Sequence, residues 1–230
     1  MNALLAEITC RGISRLCHFT PSRNLAHILR GEVGILPSSC LSKDERAVFN
    51  PTDVKRLDGH PGHVCCSVEY PNGWYFRKAR SQEKLFMDWV VLCLDPALLL
   101  RDGVEFCPRN AATGYGSLLK EGVEGFKAMY APSVVGAKGT TYTRSTNRLS
   151  AVPTDEQAEV LIPDAIPISA LIAVGVRDSE KASLEIARLE QLRLSPPKFI
   201  VAPHFFEPTA LSTSIVAGIV ATEIVYDDAD

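Results

Sequence analysis

A histidine and a threonine alternate in the segment from Ser14 to Thr20, which reads SRLCHFT. Alternation along a strand places His18 and Thr20 on one face. Thr20 followed by Pro21 predicts a helix start capped by the threonine. The free N–H groups of a helix start suit a phosphate or a carboxamide. Taken alone, the segment is explained more simply by a half-buried histidine beside a capping residue.

Glu159 is a second candidate, because it lies in the otherwise apolar segment from Gln157 to Ile162. Period-two alternation predicts a strand with Gln157 and Glu159 on one face and apolar residues on the other. A carboxylate at the opening of such a strand is costly to desolvate unless it has a partner or a function. The alternative is a glutamate at a strand end, in contact with water.

The loop over residues 136–148 is a third candidate. It combines cations with hydroxyl groups and one tyrosine, and it contains no acidic residue. Such a loop can follow a phosphate backbone and stack a base. The residues that would do so are Lys138, Tyr142, Arg144 and Arg148. A solvated loop without a ligand explains the same composition equally well.

Two histidines, His60 and His63, are separated by two residues and followed by Cys65 and Cys66. This spacing is loosely similar to that of zinc ligands, but no second ligand pair such as CxxC follows elsewhere in the sequence. We therefore expect no metal. The seven cysteines are expected to be reduced and mostly buried, as in a cytosolic protein.

The composition limits the class of protein. The chain has 230 residues, of which 46% are hydrophobic, enough for one sizeable core. The net charge of −3 excludes a uniformly basic nucleic-acid protein but leaves room for local basic patches. No apolar run approaches the ~18 residues of a membrane span. The beginning of the sequence lacks the pattern of a secretory signal, so we expect a cytoplasmic protein without a membrane partner.

Short strands dominate the predicted elements, which favours an α+β fold. The predicted strands cover residues 14–20, 64–70, 89–94, 157–162, 170–176 and 199–202, with an edge strand near 222–226. Helices are predicted after Thr20, after Asn50, after the turn at Asn72, and over 179–194. The second of these is short and would carry Arg56.

The order of these motifs resembles the DarT family, the DNA ADP-ribosyltransferase toxins of toxin–antitoxin modules. The His-Phe-Thr strand end followed by Asn24 and Leu25 is similar to that family's nicotinamide-cofactor motif. Arg56 looks like its functional arginine on a short helix. The segment QAEVLIP resembles its strand with a catalytic glutamate, here Glu159. The resemblance is strongest over residues 14–176 and points to a divergent branch, because the loop 108–148 and the last fifty residues depart from the thymidine-modifying branch.

The resemblance implies one ADP-ribosyltransferase-like domain over residues 1–230. In that fold two small, mostly antiparallel sheets form a cleft for NAD, with helices at the periphery. By the same resemblance, Glu159 and Arg56 would be catalytic. The cofactor-binding residues would be His18, Phe19, Thr20, Asn24, Leu25 and Arg56. The acceptor-binding residues would be Gln157, Lys138, Tyr142, Arg144 and Arg148.

The implied reaction is transfer of one ADP-ribose from NAD to a nucleobase of single-stranded DNA, with release of nicotinamide. The resemblance also implies a macrodomain antitoxin as partner. Two alternatives remain open from the sequence. One is an ADP-ribosyltransferase acting on RNA or protein. The other is a non-catalytic module that binds NAD or nucleic acid, although such a module has no need of a carboxylate at position 159.

Overall fold

The computed structural model describes residues 2–31, 33–42, 56–83, 86–136 and 139–227, which contain six α-helices and eleven strands. The helices are α1 (Ala3–Arg11), α2 (Arg23–Arg30), α3 (Gly73–Gln82), α4 (Gly122–Ala128), α5 (Ser179–Gln191) and α6 (Pro208–Ala217). The strands are β1 (Leu16–Pro21), β2 (His63–Val68), β3 (Trp89–Leu94), β4 (Glu105–Cys107), β5 (Lys120–Glu121), β6 (Ser133–Val135), β7 (Thr141–Thr143), β8 (Glu159–Pro163), β9 (Leu171–Val176), β10 (Phe199–Val201) and β11 (Ile224–Val225). None of the helices in these ranges is long and apolar enough to cross a bilayer.

Nine strands follow one another in the order β11-β10-β9-β3-β1-β2-β8-β4-β5, and every neighbouring pair except β9–β10 is antiparallel. They form two sheets that meet at β2. Strand β1 pairs with β2 only through Leu16–Val68 and Cys17–Ser67, and β2 then continues alongside β8. We call the point beyond Cys17 and Ser67 the strand split. The predicted α+β fold with two mostly antiparallel sheets is confirmed, and β6 and β7 form a separate small ribbon.

The central strand β3 shows why the larger sheet is so apolar. All six of its residues are buried. Val90, Leu92 and Leu94 pack into one hydrophobic cluster, and the alternating residues from Trp89 to Cys93 pack into a second cluster on the opposite face. Because successive side chains of a strand point to opposite faces, a sheet that is covered on both sides needs an uninterrupted apolar run. The predicted strand 89–94 is confirmed at both ends.

The predicted cap at Thr20 is wrong. Pro21 pairs with Trp89 as the last residue of β1, and α2 begins at Arg23, after Ser22. Proline is tolerated at a strand end because the sheet loses only one backbone hydrogen-bond donor there. The Thr20 hydroxyl instead accepts a hydrogen bond from Asn24 Nδ2 at 2.9 Å. The strand and the helix are therefore joined by side chains rather than by a helix cap.

The predicted strand 157–162 begins two residues later, at Glu159. The carboxylate of Asp155 accepts a hydrogen bond from the Gln157 N–H at 2.9 Å, and the Asp155 carbonyl accepts one from the Ala158 N–H at 3.0 Å. These bonds close a turn, so Gln157 does not share a strand face with Glu159. The predicted helix start at Asn50 lies outside the described residues.

Candidate active site

The Glu159 carboxylate is buried, with 8% of the residue exposed, although it stands at the first position of β8. Asn110 Nδ2 donates to its Oε1 at 2.7 Å, and the backbone N–H of Ala111 donates to its Oε2 at 2.8 Å. A carboxylate has about four acceptor sites, so two donors fix its orientation without requiring all of them. The alternative of a strand-end glutamate in water is therefore excluded.

Asn110 and Ala111 were not candidates from the sequence. They lie in the turn-rich segment that follows β4, and β4 pairs with β8 so that Cys107 faces Glu159. The sheet register thus brings the turn against the carboxylate. No local motif marks this contact, because Asn110 and Ala111 are almost fifty residues before Glu159 in the sequence.

His18 lies in β1 immediately after the strand split. Its Nδ1–H donates to the Cys65 carbonyl of β2 at 2.8 Å, so the imidazole spans the opening between the strands. Burial lowers the pKa of His18 from its usual value near 6.5. The hydrogen bond to Cys65 opposes this shift, and the positive charge of Arg56 adds to it. The ring is therefore neutral at pH 7, with Nε2 as its acceptor nitrogen.

The register of the sheets sets the separation between the two halves of the candidate site. Val160 pairs with Cys66, so Glu159 stands level with Ser67, which itself pairs with Cys17. Neighbouring strands are about 4.8 Å apart, so two steps place the backbones of Glu159 and of the Cys17–His18 segment about 10 Å apart. A histidine and a glutamate that are distant in sequence thus lie on strands two positions apart, with the strand split between them.

The other residues of the predicted cofactor motif lie near His18 with differing exposure. Thr20 and Asn24 are buried and bonded to each other. The Phe19 ring stacks on Phe76, with the ring centroids 4.6 Å apart. Leu25 has no exposed surface and packs in the main core, so the direct cofactor contact predicted for it is not available in this structure. Leu25 therefore contributes to the candidate site only through its packing in the core.

Arg56 is held by its own loop. Its side chain forms an ion pair with Asp58 at 3.0 Å and donates to the backbone carbonyls of His60 and His63. The Asp58 side chain is 2% exposed and that of Arg56 is 11% exposed, so the pair is screened from water. Arg56 has a φ of +40°, which is not a helical value. The prediction that Arg56 lies on a short helix is therefore wrong for this residue. The residues before it lie outside the described part of the chain.

Cys65 connects these groups. Its carbonyl binds His18, and its thiol lies 3.7 Å from Asp58 Oδ2. Burial raises the pKa of the Cys65 thiol well above its usual value, and the nearby Glu159 carboxylate raises it further. The thiol is therefore protonated at neutral pH and unsuited to act as a nucleophile. The sequence patterns did not single out Asp58, and they marked Cys65 only as part of a loose zinc-like spacing.

The predicted acceptor loop is braced by its own arginines. Arg144 donates to the carbonyls of Leu149, Ser150 and Val152, and Arg148 donates to that of Pro153. Both guanidinium groups are thus engaged within the protein, and direct binding of an acceptor by them stays a prediction. Tyr142 lies in β7 and is partly exposed. Lys138 lies outside the described residues.

Comparisons with known proteins bear on the family and on the fold. The sequence matches the family described as "ssDNA thymidine ADP-ribosyltransferase, DarT" over residues 17–207. No curated protein matches the sequence.

The solved structures that the fold resembles include DarTG of Thermosipho africanus in complex with ADP-ribose (TM-score 0.55, 17% identity), which is matched over 84% of this chain and 51% of that one. The fold also resembles DarT of Thermus sp. 2.9 in complex with NAD+ (TM-score 0.54, 15% identity), matched over 84% and 97% of the two chains. The same Thermus protein with ADP-ribosylated ssDNA gives a TM-score of 0.52 at 11% identity, over 85% and 97%.

The chain thus spans about half the length of the DarTG chain and nearly all of the Thermus DarT chain. At these identities the structural likeness establishes the fold. The family match covers most of the sequence, and the chain therefore belongs to the DarT family of NAD-dependent, single-stranded-DNA thymidine ADP-ribosyltransferases.

Proposed function

We propose that this chain transfers ADP-ribose from NAD to a nucleobase of single-stranded DNA and that Glu159 is its catalytic carboxylate. The observation that carries this proposal is the buried Glu159, oriented by Asn110 and Ala111 beside the strand split. A buried, oriented carboxylate stabilises positive charge that develops in front of it far better than a solvated one does.

In the proposed reaction the bond between C1′ of the ribose and the nicotinamide nitrogen breaks, and its electron pair leaves with nicotinamide. The ribose becomes oxocarbenium-like, and Glu159 accepts a hydrogen bond from its 2′-hydroxyl while stabilising the positive charge. A ring nitrogen of the acceptor base forms the new bond to C1′, and the proton that it carried passes to water. No step requires a metal.

The cofactor would lie across the strand split. His18 is neutral, and its donated Nδ1–H fixes the ring, so Nε2 can accept a hydrogen bond from a ribose hydroxyl. Thr20 and Asn24 would border the nicotinamide end, and Phe19 would contribute an apolar edge, as the resemblance implies. Leu25 would act only through packing.

Arg56 would hold the cofactor and assist the acceptor electrostatically. A guanidinium has a pKa above about 12 and does not act as an ordinary base. Its anchors, Asp58 and two backbone carbonyls, fix its position. The positive charge of Arg56 also acts to lower the pKa values of His18 and Cys65. Arg56 is therefore electrostatically coupled to the residues at the strand split.

Single-stranded DNA is the acceptor that fits this chemistry, because a base in a duplex must first be extruded at a cost of a few kcal/mol. Gln157, Tyr142 and Lys138 would contact the acceptor, with Tyr142 as a stacking platform. Arg144 and Arg148 would shape the loop that presents them. RNA is the second acceptor to be tested, because acceptor choice depends on these loops.

The whole activity would reside in one domain over residues 1–230, since the sheet uses strands from residue 16 to residue 225. The proposed cellular context is a toxin–antitoxin module in the cytoplasm, in which a macrodomain partner removes the ADP-ribose. Co-expression with such a partner should relieve growth inhibition by the active chain, and should be unnecessary for Glu159→Gln.

The proposal is tested by incubating the purified chain with NAD labelled in the adenylate group and with single-stranded DNA, single-stranded RNA or protein. We expect label on the DNA and release of nicotinamide. Oligonucleotides that each lack one base identify the acceptor, for which the family description names thymidine. Label on RNA or protein alone would show that this molecule, and not DNA, is the acceptor. No label on any of the three would refute the proposed transfer.

A further inference from the structure

His60, His63 and Glu105 come together on the smaller sheet. Nδ1 of His60 lies 2.7 Å from Glu105 Oε2, and Nε2 of His63 lies 3.7 Å from the same oxygen. One ligand atom from each residue lies within 4.8 Å of the other two. The cluster joins His60, in the loop before β2, and His63, the first residue of β2, to strand β4 across the intervening β8.

The three groups do not satisfy each other as a hydrogen-bonded cluster would. Glu105 Oε2 is buried and has no hydrogen-bond partner among the described residues. Its short contact with His60 therefore lacks the alignment of an N–H···O bond. The imidazole rings of His60 and His63 meet edge to face, with centroids 5.2 Å apart. A buried carboxylate oxygen thus points between two imidazoles that are only partly exposed.

Two imidazoles and one carboxylate are a known ligand set for zinc and for related divalent transition metals. With ligand distances of about 2.0–2.1 Å, the ligand atoms of a tetrahedral site stand roughly 3.4 Å apart. The 3.7 Å separation of His63 and Glu105 is close to this value, and the 2.7 Å separation of His60 and Glu105 needs only a small opening. The partial exposure of all three side chains leaves a position for water as fourth ligand.

We propose that His60, His63 and Glu105 form a binding site for one divalent transition-metal ion, with zinc as the favoured ion. The sequence showed a zinc-like spacing only for the two histidines and led us to expect no metal, because the third ligand follows far along the chain and lacks any motif. The site is separate from the proposed transfer chemistry, which uses no metal.

The site has a structural consequence for the loop from Arg56 to His63. The backbone carbonyls of both histidines accept hydrogen bonds from the Arg56 guanidinium, while their side chains face Glu105. A bound ion would therefore cross-link this loop to β4 and limit the motion of the groups that hold Arg56. Metal binding and the position of Arg56 would thus be coupled through His60 and His63.

The test uses the full chain carrying Glu159→Gln, Cys10→Ser and Cys40→Ser, which removes the proposed activity and the two exposed thiols. After treatment with a chelator, Zn²⁺ is titrated calorimetrically, and Co²⁺ is followed by its absorption spectrum. We expect one ion per chain, a tetrahedral Co²⁺ spectrum without a thiolate charge-transfer band, and a thermal midpoint that rises when Zn²⁺ is added.

Three variants complete the test. His63→Ala keeps the backbone carbonyl that binds Arg56 but removes one ligand, and it should weaken Zn²⁺ binding by about a hundredfold or more. Glu105→Gln should weaken it by at least about tenfold. His27→Ala removes an exposed histidine on α2 and should bind as the parent does. Absence of stoichiometric binding, or binding that His63→Ala and Glu105→Gln leave unchanged, would overturn the proposal, and circular dichroism checks that each variant is folded.

Discussion

Replacing Glu159 by glutamine removes one negative charge from the candidate site while nearly preserving its shape. A carboxylate about 4 Å from a developing positive charge contributes about 4 kcal/mol at an effective dielectric constant near 20. Loss of that contribution corresponds to about a thousandfold decrease in the rate of transfer. The burial of Glu159 supports a value of this size, because a solvated carboxylate would contribute far less.

The fold should tolerate the same substitution. The Ala111 N–H, which now donates to Oε2, can donate to the new amide oxygen. A flip of the Asn110 side chain turns its own oxygen toward the new NH₂ group. Both hydrogen bonds can therefore be kept, and we expect the free energy of unfolding to change by no more than about 1 kcal/mol.

Single-turnover transfer from labelled NAD to single-stranded DNA, together with urea denaturation, separates the two effects. Glu121→Gln is the matched control, because Glu121 is exposed on β5 and the variant changes the net charge by the same amount. A Glu159→Gln enzyme that is folded and transfers within about tenfold of the wild-type rate would refute the electrostatic reasoning. A rate loss of the same size in Glu121→Gln would show that net charge, and not the position of the carboxylate, is responsible.

Three further outcomes are expected. Asp58→Asn removes the negative charge that opposes the buried Arg56 guanidinium and should lower the free energy of unfolding by about 3 kcal/mol in urea denaturation; a loss below about 1 kcal/mol would contradict the buried pair. Because the pKa of His18 is lowered on folding, the folded state binds fewer protons than the unfolded state, so stability should fall as the pH drops below about 6.5. His18→Asn should make unfolding measurably less pH-dependent between about pH 7 and pH 5, and an unchanged dependence would count against a buried neutral imidazole. Tyr142→Ala should weaken binding of single-stranded DNA about tenfold in a fluorescence anisotropy titration, with Tyr142→Phe close to wild type, and equal affinity of all three would rule out stacking.

The elements that the sequence predicted well depend on local signals. Strand β3 is an uninterrupted apolar run bounded by polar residues. The turn at Asn72 begins α3, with the asparagine side chain accepting a hydrogen bond from the Tyr75 N–H at 3.1 Å. Glu159 was found because a charged residue interrupts an apolar pattern, which is a local anomaly.

The contacts that the sequence did not predict depend on register between distant segments. Asn110 meets Glu159, and Glu105 meets His60, only because β4 pairs with β8 and β8 with β2. The error at Thr20 has a related cause. A threonine followed by proline is a valid helix start by local propensity, but pairing with β3 continues through Pro21 and outweighs that preference.

The order of strands in the sheet has a consequence for synthesis on the ribosome. Strands β1, β2 and β3 emerge early, and β1 pairs with both of the others, but β8, which inserts between β2 and β4, is made only after Glu121, the last residue of β5. A nascent polypeptide shorter than about 160 residues therefore lacks the glutamate and its strand, and domains generally form as units when their last elements arrive. Ribosome-bound intermediates of this enzyme that lack β8 should accordingly be harmless to DNA, and catalytic competence should appear abruptly once β8 and the strands after it have been made.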